Sequence, residues 1–424
     1  MSNDVDRVAR AIERLDRLAG LGRAQGEEGT TRPGLSTQEQ RACELVASWM
    51  SEEGLLVSWD GAGNVFGRLP GSDPTSQEIW TGSHLDTVPN GGRFDGALGV
   101  VVGLEAVAAL RQSDLRATLV VVAFRYEEGW RFGGGCFGSR AVCGLLPPGE
   151  LETRDADGIS VREALSELGR AGPEASSVLP GTFVEIHIEQ GPVLEARDVP
   201  HAVVTAIAGI AGYSVTFTGA PGHAGTLPLP SRRDAFLAAA GFALDLHRTA
   251  LTVADAVATV GDVRIPGGAR NVVPGLTTVS VDVRAPTSEA LRRLVEAVPR
   301  LAEDAAGRNG CSANVVLRWL TEPVPMSDRV RVALHQAAAD LGVPAIDLHS
   351  GAGHDAGIFA AHRVPTGMLF VRSLNGGASH RPDELTAPSD IDTSISILAA
   401  TLARLGRAEH PGPESRVISP SASA

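Results

Sequence analysis

The sequence predicts an α/β protein: a sheet covered by helices, with a second, smaller α+β domain inserted into it. Three observations carry this. Residues 118–124 (TLVVVAF) are continuously apolar, as a strand buried on both faces should be. Strand-like runs of this kind alternate with helix-period segments over residues 1–210. Between residues 211 and 320 the texture changes to a βαββαβ order with two-residue alternation, and the first pattern resumes after Pro323.

The elements follow in order. Val5, Val8, Ile12, Leu15 and Leu18 fall on one side of an amphipathic first helix. Helices are expected over 37–53 and 97–111, and strands over 78–84 (EIWTGSH), 118–124 and 183–190 (FVEIHIEQ). Near Gly209–Gly212 the pattern shifts, and GYSVTFTG alternates as a half-exposed strand does. A helix over 232–248, strands over 257–265 and 276–284, a helix over 287–306 and the strand ANVVLRWL complete the insertion. A helix near 327–341 and the strand TGMLFVR return to the first domain. One discontinuous domain, 1–210 with 321–409, therefore encloses a second, 211–320, and the polar tail 410–424 is expected to be disordered.

A chain of 424 residues is long enough for two cores, and 43% hydrophobic residues can fill them. The formal charge of −13 argues against nucleic acid and anionic membranes as partners. No apolar run reaches the length of a membrane span, and the start lacks the pattern of a secretory leader, so the cytoplasm is the expected compartment. Cys43, Cys136, Cys143 and Cys311 form no CxxC pair and read as reduced thiols; a cysteine nucleophile is disfavoured because no histidine lies near Cys136 or Cys143.

Several segments carry chemistry. In GSHLDTVPNGGRFDGALGV, His84 ends a strand, Asp86 points to the same side, and Asp95 sits among glycines before a helix. Imidazole with carboxylate suits a borderline cation such as zinc, and Asp86 is placed to orient the His84 ring. The competing reading is a surface turn rich in Gly and Asp. Glu127 and Glu128 follow a buried strand and project in different directions, so one can bind a metal while the other carries protons. Two exposed glutamates at a strand end are the alternative. Gly133, Gly135 and Gly138 fit GxGxxG, but Glu127 and Glu128 intervene and would repel a pyrophosphate. Glu185, His187 and Glu189 share one face of an apolar strand, as a ligand row or as a wet edge. His223 lies in a Gly/Pro loop, Asn271 at a turn, and Arg284 at the end of the following strand. His354 and His380 lie in glycine-rich loops. Of eleven histidines these five are the functional candidates; the other six have neutral or helical contexts.

Read together, GSHLDTV, GGRFDG, EEG-RF, GSR, HIEQGPVLE, GHAGT, RNVVPG and a late G-SH occur in family order. The chain resembles, over roughly residues 5–408, the hydantoinase/carbamoylase branch of the aminoacylase–carboxypeptidase metallohydrolase superfamily. The resemblance implies a di-metal hydrolase core of mixed sheet and flanking helices, with the insertion serving as lid and dimerisation domain of a homodimer. It implies two divalent ions per subunit, zinc being expected and manganese, cobalt or nickel the alternatives. His84, Asp95 and His187 would hold one ion, and Asp95, Glu128 and His380 the other, with Asp95 bridging. Glu127 would be the general base, and Gln190, His223, Asn271, Arg284 and His354 would bind substrate. His223 would also act catalytically, in the partner subunit's site.

The implied reaction is hydrolysis of N-carbamoyl-L-amino acids to the amino acid, CO2 and ammonia, with allantoate or N-acyl amino acids and dipeptides as alternative substrates. A non-catalytic binding protein is disfavoured because Glu127 is present together with every ligand. Trp130, Leu227, Leu229, Arg372 and Arg381 depart from the family's common residues. The two arginines would favour an additional acidic group on the substrate.

Overall fold

The computed structural model describes residues 2–23, 26–172 and 178–407. The tail expected to be disordered lies outside them. The strands are β1 (Leu56–Trp59), β2 (Val65–Leu69), β3 (Ile79–His84), β4 (Leu119–Phe124), β5 (Thr182–Ile188), β6 (His201–Ile207), β7 (Gly209–Thr218), β8 (Gly222–His223), β9 (Val257–Arg264), β10 (Val272–Val273), β11 (Leu276–Ala285), β12 (Ser312–Thr321), β13 (Val324–Pro325), β14 (Ala345–Ser350) and β15 (Thr366–Val371). The α-helices are α1 (Ser2–Gly20), α2 (Thr37–Glu52), α3 (Ala97–Ala109), α4 (Phe137–Val142), α5 (Val161–Glu167), α6 (Val193–Arg197), α7 (Ala235–Ala250), α8 (Ser288–Arg308), α9 (Asp328–Asp340), α10 (Asp355–Ala361) and α11 (Pro388–Arg407). No helix among the described residues is long and apolar enough to cross a membrane.

The chain divides into two compact units. Among the described residues, the first comprises those within 2–203, 327–346 and 358–407; the second comprises 204–326 and 347–357. The sequence assigned the stretch 347–357 to the larger domain, whereas its contacts place it in the second unit.

In the first unit the sheet runs β1-β2-β4-β3-β5-β15-β6. Strands β4, β3, β5 and β15 are mutually parallel, so their C-terminal ends lie along one edge, where α/β proteins place ligand sites. Their runs are apolar on both sides because both faces are covered. On one face Val121, Val184, Ile186 and Leu369 pack with α3, α9 and α11 residues such as Val101, Leu334 and Leu398. The other carries an aromatic cluster in which Phe359 lies 4.8 Å from Phe183 and 5.6 Å from Phe124, between ring centroids. In α1, Leu15 and Leu18 are buried and Ile12 packs at the rim.

The second unit holds an antiparallel sheet in the order β12-β7-β11-β9. Val215, Phe217, Val281 and Val283 alternate inward and meet Phe242 and Leu246 of α7 and Leu294 and Val298 of α8. A separate two-stranded ribbon pairs β8 with β10, setting Val272 opposite His223.

Candidate metal centre

The four parallel strands deliver the candidate residues of the first unit. His84 is the last residue of β3, and Glu127 and Glu128 follow β4 after a two-residue turn. His187 is the penultimate residue of β5, and His380 lies in the loop after β15. Asp95 precedes α3, and Gly96 beside it has φ 65°. A Cβ at Gly96 would lie 2.4 Å from the His84 ring, so the Asp95 loop can rest on that imidazole only with glycine there.

Two groups of ligand-type atoms form, His84–Asp95–His187 and Asp95–Glu128–His380, each within 4.8 Å. Asp95 divides its oxygens between them. Its Oδ1 lies 3.7 Å from His84 Nε2 and 3.2 Å from His187 Nε2, and its Oδ2 lies 3.3 Å from His380 Nε2. Glu128 Oε2 is 3.4 Å from the same His380 nitrogen, and Glu127 Oε2 is 3.8 Å from His84 Nε2.

The supporting bonds fix the ring orientations. His84 Nδ1 donates to the Asp86 carbonyl at 3.1 Å and His187 Nδ1 to the Ile188 carbonyl at 3.0 Å. In the neutral rings this turns an Nε2 lone pair toward Asp95, the usual arrangement behind a metal-ligating histidine. Asp86 does more than the sequence suggested. Its carboxylate accepts from Glu127 N at 2.8 Å and Glu128 N at 3.1 Å, and stands only 3.4 Å from His84 Nδ1. It holds the two-glutamate loop, while its main-chain oxygen orients the ring. From the other side, buried Glu39 accepts from Tyr126 N at 2.9 Å and lies 2.8 Å from Arg125 Nε. Tyr126 takes φ 52°, so these contacts keep the loop in a conformation unusual for a bulky residue.

The charges are unbalanced. Asp86, Asp95, Glu127 and Glu128 gather around three imidazoles. Burial opposes a charged His84 ring, yet Glu127 and Asp86 hold its pKa well above the ordinary histidine value. His380, hydrogen-bonded to Asp95, is pushed up to about 9. Burial, with Asp95 nearby, pushes Glu128 up to about 7. In the protein alone, protons on the rings offset the carboxylates; divalent cations would do so with the lone pairs already aimed. Among the described residues Glu128 Oε1 and Gln190 Oε1 are buried without a hydrogen-bond partner, which also fits a site built for further ligands. The residues present therefore suit divalent metal ions.

Residues 80–404 match the family described as Peptidase family M20/M25/M40. The chain is 39% identical to an N-carbamoyl-L-amino acid amidohydrolase of Geobacillus stearothermophilus, over 94% of this chain and 99% of that one. It is 34% identical to an allantoate amidohydrolase of Bacillus subtilis (strain 168), over 92% and 96%. A hydantoinase/carbamoylase family amidase from Burkholderia multivorans superposes with a TM-score of 0.89 at 33% identity, covering 95% of this chain and 98% of that one.

The chain belongs to the M20 family, among its hydantoinase/carbamoylase amidases. M20 is a metallohydrolase family, which agrees with the donor sets.

The remaining candidates lie as follows. Gln190, with φ 57°, donates from Nε2 to Asp95 Oδ2 at 2.9 Å. In the second unit His223 pairs with Val272 in the ribbon, and Asn271, just before β10, accepts at its main-chain O from Ala224 N at 2.9 Å. His223 Nδ1 accepts from Gly225 N and Thr226 N at 3.1 and 3.2 Å, which leaves Nε2 as the donor. The Arg284 fork is joined to Asp282 at 2.8 and 3.3 Å and to the Gly351 carbonyl at 2.7 Å. His354 is buried, with Nε2 2.8 Å from Ser350 Oγ.

One alternative left open is resolved and one expectation is corrected. Glu189 caps a helix: its carboxylate accepts from Val193 N and Leu194 N at the start of α6. Arg372 is bound by Asp390 and Asp198, each at 2.8 Å, and Arg381 by Asp383 at 2.6 Å. Both guanidinium groups are neutralised by their own neighbours, which removes the argument for a second acidic group on the substrate.

Sequence reasoning missed Glu384 and Ser379. Ser379 Oγ donates to Asp95 Oδ2 at 3.1 Å. Glu384 is buried, accepts from Phe94 N and Asp95 N, and is raised to about 8 by burial and by Asp95. A carboxylate in HRPDEL gives no sign of burial; only its place after the last histidine could have drawn attention.

Proposed function

We propose that this protein hydrolyses the C–N bond of a ureido group, with N-carbamoyl-L-amino acids as its substrates and the amino acid, CO2 and ammonia as products. The observation that carries the reading is the division of the Asp95 oxygens between two imidazole-containing groups, with a further carboxylate, Glu127, beside them. The substrate class is supported by the Geobacillus relative's name and its near full-length match.

In this reading His84, Asp95 and His187 hold one ion, and Asp95, Glu128 and His380 the other. Zinc is the ion these nitrogen and oxygen donors suit, with manganese, cobalt or nickel as alternatives. Bound there, two divalent cations supply Lewis acidity toward the ureido carbonyl and lower the pKa of a water. Glu127 takes the proton from the attacking water and returns it to the leaving nitrogen. Asp86 keeps Glu127 in place through its N–H. Gln190 Oε1 accepts from a ureido N–H, which would satisfy its buried lone pairs.

His223, with Nε2 as donor, stabilises the oxygen that becomes negative in the tetrahedral intermediate. Asn271 and Arg284 bind the α-carboxylate. Arg284 uses the end of its fork, since Asp282 holds the side edge. His354 orients the substrate. The second unit serves as lid and dimerisation domain. Support for a homodimer comes from the edge strand β12, where Leu317, Trp319 and Leu320 are exposed, apolar residues suited to covering by another chain. Free cysteines support a cytoplasmic setting.

Allantoate is the second reading, supported by the Bacillus relative. One assay separates the two: ammonia release by the metal-loaded enzyme from N-carbamoyl-L-amino acids, allantoate and N-acetyl amino acids. Turnover of the first group above the others is expected. Preference for allantoate would replace the substrate, and activity on N-acetyl amino acids alone would refute the ureido reading.

A further inference from the structure

We infer that Glu384 is a positioning residue that sets the place of the Asp95 carboxylate through its backbone. The inference rests on reading Asp95 as the ligand shared by two metal ions.

The Asp95 side chain is engaged on every side, by His84 and His187 at Oδ1 and by Gln190, Ser379 and His380 at Oδ2. These groups describe where the carboxylate must be; the backbone behind it decides whether it stays there. That backbone is a glycine-rich turn, Gly91-Gly92-Arg93-Phe94, leading into α3. The last N–H of that turn and the N–H of Asp95 itself both donate to one oxygen of Glu384, Phe94 N at 2.7 Å and Asp95 N at 3.0 Å. Glu384 is 4% exposed, so water does not compete for these bonds.

The approach is close. A Cβ at Gly92 would lie 2.3 Å from the Glu384 carboxyl carbon, so glycine is what lets the turn fold over this side chain. Glu384 stands four residues after His380. One short loop after β15 thus carries a ligand of the second group and the anchor of the ligand common to both.

Both bonds run to Oε2, whereas Oε1 is buried without a hydrogen-bond partner among the described residues. The loop therefore needs a two-coordinate acceptor at the position of Oε2, and the second oxygen adds nothing to it. Glutamine can place its carbonyl oxygen at that position. Aspartate is one methylene too short to reach both N–H groups, and alanine supplies no acceptor.

The test is calorimetric titration of metal-depleted protein with Zn²⁺ alone, on wild type, Glu384→Gln, Glu384→Asp, Glu384→Ala and Asp95→Ala. Outer partners of metal ligands typically contribute about 10- to 100-fold in affinity. Glu384→Ala and Glu384→Asp should lose affinity by about that factor, while Glu384→Gln stays within about threefold of wild type. Wild-type affinity in a folded Glu384→Ala protein would overturn the inference. Loss in Glu384→Gln equal to that in Glu384→Asp would also overturn it, because charge and not the two bonds would then be what matters. If Glu384→Ala fails to fold, the Gln and Asp variants decide alone. Wild-type binding by Asp95→Ala would instead refute the metal reading on which this one stands.

Discussion

Replacing Asp86 with asparagine should misplace the general base while leaving the fold intact. The Asp86 carboxylate takes one N–H from each glutamate of the Glu127–Glu128 pair, at 2.8 and 3.1 Å, and is fully buried. Asparagine keeps one acceptor and turns an NH2 group onto the other N–H. One charge-assisted bond, about 1.5–3 kcal/mol, is lost, and an N–H is left facing a donor at a cost of about 1–3 kcal/mol. The loop relieves this by moving. A shift of about 1 Å at the reacting groups costs roughly 100-fold in rate. The expected result is a drop in kcat of about 100-fold with N-carbamoyl-L-amino acid as substrate. The His84 contact to the Asp86 main-chain oxygen does not depend on the side chain and should survive. Metal content measured on the same sample separates loss of the base from loss of an ion. Wild-type kcat in folded Asp86→Asn protein would show that this carboxylate does not hold the catalytic loop.

Other outcomes follow from the same geometry. Glu127→Gln should retain both metals and lose most of its turnover, whereas Glu128→Gln should weaken one metal site; the reverse pattern would exchange their roles. Mixing inactive Glu127→Gln and His223→Ala homodimers should restore up to about a quarter of wild-type activity if His223 serves the partner's site. Confirmed subunit exchange with no recovery would place His223 in its own chain's site. His201 gives a pH effect on stability. Burial lowers it to about 4, with Asp390 opposing, and its Nε2 lies 2.7 Å from Thr393 Oγ1. The folded ring stays neutral where the unfolded one charges, so stability is complete above about pH 6.5 and declines by about 3 kcal/mol as pH falls toward 4. His201→Gln should flatten that part of the thermal-midpoint profile; an unchanged slope would assign the acid sensitivity to other groups.

Much of this was legible in the sequence because its signals are local. A continuous apolar run gave β4, polar residues alternating with isoleucine gave β5, and the shift to two-residue alternation near Gly212 marked the second unit. His84, Asp95 and His187 stood out as polar residues in apolar or glycine-rich settings. Asp86 was recognised as a supporting residue, but its main partners, the N–H groups of Glu127 and Glu128, lie 41 and 42 residues on and could not be read from spacing. Glu384 was invisible for the same reason, since its partners Phe94 and Asp95 are about 290 residues away. Arg372 and Arg381 misled because composition shows a charge but not its counter-ion. Asp383 lay only two residues from Arg381, so that pairing at least was within reach.

In the proposed reading this site works with two divalent ions shared through Asp95. The most direct measurement is elemental analysis paired with activity: chelate the protein, restore Zn²⁺ stepwise, and follow ammonia release against ions bound per chain. Metal-free protein should show no turnover, full activity should return only as the ratio approaches two, and Asp95→Ala should be inactive and deficient in both ions. Full turnover after complete removal of metal, or saturation of activity at a single ion with Asp95→Ala still binding it, would contradict that reading.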